Sequence, residues 1–225
     1  MALKFGDTKG SAQKDKLPNY RITDGNNSVR LVGDILARYV YWIKGIDGKS
    51  IPFECLAFDR EAERFTNEEK DWVREFYPAE KCQWAYCIQA IDENGELMIF
   101  NLKKKLFDQI QVAAEDAENF GDPTDPDNGW TIHFTRKKNG PKVFNVEYTL
   151  EQMKSAKSKG PLSDAERAIY DAMKPIDEVL PRPTADAQKA LLERIANGGQ
   201  EEPEPEDDID ADIDSEFDSS NADMD

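Results

Sequence analysis

The chain has 225 residues, of which 39% are apolar and 33% charged, and its formal net charge is −17. This composition is typical of a globular protein with a real core, and no stretch approaches the ~20 apolar residues that a membrane span requires. The first sixteen residues lack the apolar segment of a secretory signal, and Cys55, Cys82 and Cys87 are too few for a disulfide framework. We therefore expect a cytoplasmic protein in a reducing compartment.

The predicted elements begin after a polar, lysine-bearing stretch. Alternating apolar residues and turn signals predict three strand pairs, over 28–44 with 50–58, 83–91 with 96–102, and 130–136 with 142–148. Capping patterns and apolar stripes predict helices over 66–77, 106–117, 163–174 and 184–197. The order predicts a mainly β protein with helical insertions, a small barrel followed by short C-terminal helices.

Four segments differ in composition, and we interpret them as the domain organisation. They are a flexible basic arm (1–27), the β domain (28–150), a helical appendix (151–200) and a disordered acidic tail (201–225).

The tail is the strongest charge feature of the chain. Residues 201–225 carry 13 Asp or Glu and no Lys, Arg or His, which leaves residues 1–200 with 33 acids, 29 bases and a charge near −4. Such a segment cannot bury enough apolar surface to fold. It can compete with nucleic acid for a basic groove, or dock Ile209, Ile213 and Phe217 on a partner. The alternative is a tail that only keeps the protein soluble.

Catalytic and metal-binding patterns are weak. His133 is the single histidine and has no Ser or Cys partner signature, so triad-type catalysis is disfavoured. Neither nucleotide-binding glycine motif is present. Residues 121–129 lack the spacing of a calcium loop, and Cys82 and Cys87 lack the further ligands of a zinc site. We therefore predict no enzymatic activity, no cofactor and no metal.

Basic residues interleaved with aromatic rings recur in all three strand pairs. Single-stranded nucleic acid is bound by this mixture, because bases stack on exposed rings while Lys and Arg follow the phosphates. The alternative is that the rings form the barrel core and the bases its solvated rim. The candidate DNA-binding residues are Arg38, Tyr41, Trp42, Lys44, Trp84, Tyr86, Phe100, Lys103, Lys104, Lys105, Arg136, Lys137, Lys138, Lys142 and Phe144.

Three segments, 27–53, 83–110 and 121–149, resemble the single-stranded-DNA-binding, helix-destabilising proteins of T-even phages. The resemblance implies an OB-fold, non-specific binding of single-stranded DNA in a basic cleft, and a tail that recruits replication proteins. It places Trp84, Phe100, Lys103 to Lys105 and Phe144 at DNA contacts.

Two features depart from that family. Its T-even members hold zinc with one His and three Cys, whereas residues 55–82 here contain Cys55 and Cys82 but no His. The N-terminus also lacks the family's basic motif for cooperative binding. The resemblance therefore implies a zinc-free version without strong cooperativity.

The sequence thus predicts a non-enzymatic protein that coats and protects single-stranded DNA in phage replication, recombination and repair, within the host cytoplasm. Its expected partners are single-stranded DNA and a polymerase, helicase or primase reached through the tail. An acidic adaptor or DNA mimic that binds a basic protein is the alternative, although clustered lysines argue against it. A metal-dependent nuclease is a further alternative that lacks a spaced acidic constellation.

Overall fold

The computed structural model describes residues 17–141 and 145–197. The strands in this part of the chain are β1 (Gly25–Leu36), β2 (Tyr39–Lys44), β3 (Ser50–Glu54), β4 (Phe58–Asp59), β5 (Arg64–Phe65), β6 (Gln83–Trp84), β7 (Cys87–Ile91), β8 (Leu97–Asn101), β9 (Thr131–Lys138) and β10 (Val146–Leu150). The helices are α1 (Val73–Phe76), α2 (Lys104–Ala114), α3 (Gln152–Lys157), α4 (Asp164–Ala172), α5 (Ile176–Val179) and α6 (Ala185–Ala196).

Two stretches of the chain each pass from one main sheet into the other. A five-stranded antiparallel sheet has the order β10-β9-β1-β7-β8, and a three-stranded sheet has the order β3-β2-β6. β1 continues into β2 and β6 into β7, so Leu36 lies opposite Cys87 in one sheet and Tyr39 opposite Trp84 in the other. The sheets thus form an OB-fold-like barrel, and the predicted mainly β fold with helical insertions and short C-terminal helices is confirmed.

The bend in β1 has a local cause. The register between β1 and β7 shifts between Val32 and Leu36, as at a β-bulge. Gly33 lies in this gap with φ of +73°, where a side chain would be strained, and a Cβ there would lie 2.8 Å from Met173 Cε. The Gly33-Asp34 step is therefore the point at which the strand turns.

Apolar side chains fill the space between the two sheets. Trp130, Phe134, Ile88 and Leu106 are fully buried there. The indole of Trp130 also donates a hydrogen bond to the Gly121 carbonyl at 3.0 Å, which satisfies its one polar atom. This core makes the barrel a rigid support for side chains on its surface.

Helix α2 covers the edge of the five-stranded sheet at β10. The Gln109 side-chain amide donates to the Tyr148 carbonyl at 2.9 Å, and its oxygen accepts from the Leu150 amide at 2.9 Å. Gln109 therefore replaces the missing neighbouring strand at two backbone groups. This contact fixes the middle of α2 relative to the β9–β10 hairpin.

The C-terminal helices cover the outer face of the five-stranded sheet. Met173 at the end of α4 packs near Val32 and Ile91, and Ile176 of α5 packs on Leu36 and Cys87. Helix α6 buries Leu192 in the main core. These contacts occupy one face of the barrel and leave the aromatic side chains near β6 partly exposed.

The segment before β1 also contacts the barrel. Asn19 forms a parallel bridge with Ile99 of β8, and Tyr20 N donates to the Ile99 carbonyl at 2.8 Å. Residues 17–24, which the sequence analysis included in the arm, thus begin along the edge strand β8. Residues 1–16 and the acidic tail lie outside the described residues.

Candidate nucleic-acid interface

Five aromatic side chains form a continuous series of ring contacts across the barrel surface. We call this set the aromatic row. Its members, in order of contact, are Phe65, Tyr39, Tyr86, Trp84 and Phe107. Successive ring centroids are 5.1, 6.5, 4.5 and 5.4 Å apart. These distances are those of stacked and edge-to-face aromatic pairs.

The row is a surface feature supported from below. Phe65 is 44% exposed, and Tyr39, Trp84 and Phe107 are half-buried. Buried Phe58 packs beneath one end, with its centroid 4.8 Å from that of Tyr39 and 5.2 Å from that of Phe65. The rings are therefore held by packing while part of their surface remains open to solvent.

Tyr86 is the least exposed member of the row. Its side chain is 8% exposed and stacks on Trp84 with an interplanar angle of 18°. Burial, followed by the nearby Glu63 carboxylate, raises the pKa of Tyr86 to about 12, so its hydroxyl stays protonated at neutral pH. Tyr86 therefore acts mainly as the neutral support of Trp84.

Lysines at the start of α2 flank the row. Lys104 Nζ lies 5.8 Å from the Trp84 ring centroid and 5.7 Å from that of Phe107, within the range of cation–π contact. Lys104 also pairs with Asp108 at i,i+4, an exposed pair that contributes little and can exchange for another anion. The first turn of α2 contains no acidic residue, which suits an approaching phosphate.

An open groove continues from these lysines toward the β9–β10 hairpin. Its volume is about 730 Å³, and it is lined by Lys105, Asp108 and Gln109 of α2 together with Asn139, Asn145, Val146, Glu147 and Tyr148. Positions three and four apart share a helix face, so this lining adjoins the face of Lys104 and Phe107. The groove is thus contiguous with the aromatic row through α2.

This arrangement is suited to an extended, negatively charged ligand with planar groups. Exposed rings offer stacking surfaces that do not depend on the identity of a base. Ammonium groups beside them offer contacts for phosphate oxygens. Half-buried rings next to lysines are thus what binding of single-stranded nucleic acid requires.

The structure brings together five of the predicted residues and separates others from them. Trp84, Tyr86 and Lys103 to Lys105 lie together, and the shared face expected of Trp84 and Tyr86 is present as a ring stack. The hairpin groove extends from Lys105 toward Lys137 and Lys138, which are exposed near the end of β9. The role of these residues in DNA binding remains a prediction.

Two predicted rings are in the core, which corrects their assignment to the surface. Phe100 is 0% exposed and packs against Tyr20 and Phe134, with centroids 5.5 and 5.9 Å away. Tyr41 is 2% exposed, and its hydroxyl donates to Asp71 Oδ2 at 2.9 Å. Neither ring presents a face to a ligand, so we omit both from the interface.

Three further predicted residues lie away from the row. Trp42 and Lys44 alternate with buried Tyr41 along β2 and therefore project from the opposite face of the strand from Tyr39. Arg38 Nε donates to the Ala85 carbonyl at 3.1 Å. Its positive charge partly offsets the rise that burial causes in the pKa of Cys87, a residue that packs against Ile176 of α5.

At the last hairpin, Arg136 Nη1 pairs with Asp24 at 2.6 Å. The remaining predicted residues, Lys142, Phe144, Ile209, Ile213 and Phe217, lie outside the described residues.

The sequence analysis missed three members of the row. Tyr39 was passed over in favour of Tyr41, although both point to the same side of β2. Phe107 lies in the helix predicted over 106–117, where an apolar residue is expected to face the core, but the buried residues of α2 are Leu106, Ile110 and Ala113. Phe65 stands in a short strand next to charged residues, and its sequence neighbourhood gives no signal for a binding ring.

His133 has a structural partner rather than a catalytic one. His133 Nδ1 and Ser28 Oγ are 3.0 Å apart across β1 and β9, and burial lowers the pKa of His133. Within the described ranges, no group of three or more His, Cys, Asp and Glu side chains could hold a metal ion. No helix in these same ranges is both long enough and apolar enough to cross a bilayer.

The fold and this surface together define a β-barrel protein with an aromatic and basic face. A protein of Escherichia phage T5, named "Probable ssDNA-binding protein", is 27% identical to this chain over 235 aligned positions that cover 88% of each sequence. No protein-family model matches the chain.

Proposed function

We propose that this chain binds single-stranded DNA without sequence preference, with the bases stacked along the aromatic row and the phosphates following the lysines of α2 and the hairpin groove. The carrying observation is the row itself, in which Phe65 and Trp84 are partly exposed and Lys104 stands over two rings. The similarity to the T5 protein, whose name states the same ligand, supports the proposal.

The direct test is a titration of labelled oligo-dT against a duplex of equal length. Preferential binding of the single strand is expected, because paired bases cannot stack on protein rings. Each single-strand phosphate neutralised should add about −0.7 to the slope of log K against log salt. Equal affinity for both ligands, or a flat salt dependence, would contradict the groove and row as the binding surface.

We further propose that the protein is not an enzyme but coats and protects single strands during phage replication, recombination or repair in the host cytoplasm. The acidic tail would then recruit a replication protein such as a polymerase, helicase or primase. The composition of residues 201–225 supports this role. The segment has 13 acids, and Ile209, Ile213 and Phe217 are apolar side chains that could dock on a partner.

The same tail favours a second candidate, an acidic adaptor or DNA mimic that binds a basic protein. That function uses no basic or aromatic groove. The oligo-dT titration separates the candidates, because an adaptor would bind neither single-stranded nor duplex DNA.

A further inference from the structure

One arginine joins the C-terminal helices to the segment that carries Phe65. Arg182, between α5 and α6, donates from Nη2 to the Leu56 carbonyl at 2.9 Å and from Nη1 to the Phe58 carbonyl at 3.0 Å. Its guanidinium also lies 3.3 Å from Glu69 Oε2. Arg182 therefore binds both the beginning and the end of residues 56–69.

A second arginine makes the reciprocal connection. Arg60, in the turn between β4 and β5, pairs with both carboxylate oxygens of buried Glu54 at 2.7 and 2.6 Å. Its Nη1 reaches the Leu180 carbonyl at 3.3 Å and Asp177 at 3.4 Å, next to α5. Such two-pronged contacts fix orientation as well as distance. The β4–β5 hairpin is thus held on its outer side by residues of the C-terminal helices.

The hairpin in turn positions one end of the aromatic row. Phe65 is paired directly with Phe58 across β4 and β5. The Phe58 ring packs on Tyr39 and Phe65, while the Phe58 carbonyl is the group that Arg182 holds. One residue therefore links the arginine to two rings of the row.

We infer that Arg182 is a positioning residue for single-stranded DNA binding, one that contacts no DNA and acts by fixing the β4–β5 hairpin so that Phe65 and Tyr39 meet a base. This inference rests on the proposed function of the row. It gives the C-terminal helices a role in the affinity of a surface that they do not line.

The test is a double-mutant cycle in the full chain, read as affinity for oligo-dT at two or more salt concentrations. Arg182→Ala and Phe65→Ala should each weaken binding by about fivefold, the lower end of the effect of losing one stacked base. The double variant should bind no more weakly than the weaker single variant, because both changes remove the same contact. Arg182→Lys should restore only part of the affinity, since an ammonium cannot span both carbonyls.

Two comparisons separate positioning from other roles. The losses of affinity in Lys105→Ala and Arg182→Ala should multiply in the double variant, because the two sites act independently. Lys105→Ala should make the negative salt slope shallower by about 0.7, whereas Arg182→Ala alone should leave the slope unchanged. Arg167→Ala is the matched control, because Arg167 of α4 binds Pro126 and Asp127 and lies on no element of the row. It should leave affinity unchanged.

Independent effects of Arg182→Ala and Phe65→Ala would overturn the inference. A shallower salt slope in Arg182→Ala would instead assign the arginine to a phosphate. If Arg167→Ala weakened oligo-dT binding as much as Arg182→Ala does, the effect of Arg182→Ala would be general destabilisation of the protein.

Hydrogen exchange without DNA distinguishes failure of this inference from failure of the proposed function. The amides of Thr66 and Asn67 donate to the Ala57 carbonyl at 3.0 and 3.2 Å. In Arg182→Ala these amides should exchange faster while those of β1 do not change. If the unaltered protein binds no oligo-dT, the proposed function fails whatever the exchange shows. If the amides keep their protection in Arg182→Ala, the positioning inference fails even where DNA binds.

Discussion

Trp84 and Phe100 are large rings in different surroundings. Trp84 stacks on Tyr86 at the surface with Lys104 beside it, whereas Phe100 is enclosed by Tyr20 and Phe134. Truncation of the first ring removes a candidate stacking surface, and truncation of the second leaves a cavity in the core. The two side chains therefore test the interface and the core separately.

We predict that Trp84→Ala weakens oligo-dT binding by about 1–3 kcal/mol and leaves the protein folded. Phe100→Ala should instead lower the free energy of unfolding by about 3–5 kcal/mol, because its cavity cannot close fully. Fluorescence titration and chemical denaturation of both variants make the comparison. If Trp84→Ala lost as much stability as Phe100→Ala, the Trp84 ring would belong to the core.

The three thiols differ in reactivity for reasons visible at the same scale. A hydrogen bond between Cys55 and Cys82 lowers the pKa of the half-buried Cys82 thiol, and the same contact with burial raises that of Cys55. Burial raises the pKa of the Cys87 thiol. Only the thiolate reacts with alkylating reagents. Because the pKa of Cys82 is lowered, a larger fraction of Cys82 is thiolate at neutral pH.

We predict that iodoacetamide at neutral pH modifies Cys82 before Cys55 and Cys87, and that the rate falls as the pH is lowered and the Cys82 thiolate is protonated. Peptide mass mapping over time gives the order. In denaturant the three rates should converge. Equal rates in the folded protein would show that the described difference in surroundings does not govern reactivity.

Residue types indicated the kind of site, but which rings lie at the surface depended on the barrel. Tyr39 and Tyr41 lie on the same side of β2, yet only Tyr41 is enclosed, with its hydroxyl bound to Asp71. The alternation of side chains along a strand tells which face a residue is on, but it does not tell how deeply that residue is buried. Burial of Tyr41 comes from a segment thirty residues further along the chain, which no local pattern contains.

At the scale of elements, two capping patterns had different outcomes. Ser163 and Glu166 form the predicted capping box at the start of α4. Thr66 and Glu69 do not begin a helix, and the helix predicted over 66–77 is reduced to α1. The Glu69 carboxylate, which the capping box would need, instead pairs with Arg182, a residue far along the chain. A sequence window cannot reveal such competition.

Gln109 offers a test of how α2 is fixed to the sheet. We predict that Gln109→Ala lowers the free energy of unfolding by about 1–3 kcal/mol, because the Tyr148 carbonyl and Leu150 amide both lose a partner at the sheet edge. Gln111→Ala, at an exposed position of the same helix, is the control and should change stability little. Denaturant titration measures both. Equal stability of the two variants would mean that water replaces both hydrogen bonds without cost.

The whole molecule combines a nearly neutral portion with a strongly acidic end. Residues 1–200 have a formal charge near −4, and residues 201–225 contribute −13. The lysines of the candidate interface are local features of a surface whose overall charge repels DNA. The proposed binding would therefore depend on the concentration of positive charge beside the row, and the chain's own acids would compete with DNA for that charge.

Tethering by a flexible linker gives a segment an effective concentration of order millimolar near a site on the same chain. We predict that a chain ending at residue 200 binds oligo-dT more tightly than the full chain, with the larger gain at low salt, where charges are least screened. Its melting temperature should change by no more than about two degrees, because a segment with so few apolar residues contributes no core. Titration at two salt concentrations and a thermal melt measure these effects.

A second variant separates competition from partner binding. Replacement of Ile209, Ile213 and Phe217 by Ser keeps all 13 acids of the tail, so this variant should bind oligo-dT as the full chain does. It should nevertheless lose binding to a purified polymerase, helicase or primase from the same system, because those three side chains are the proposed apolar contacts. Truncation should lose this binding as well. If neither variant changed DNA affinity or partner binding, the tail would serve solubility alone.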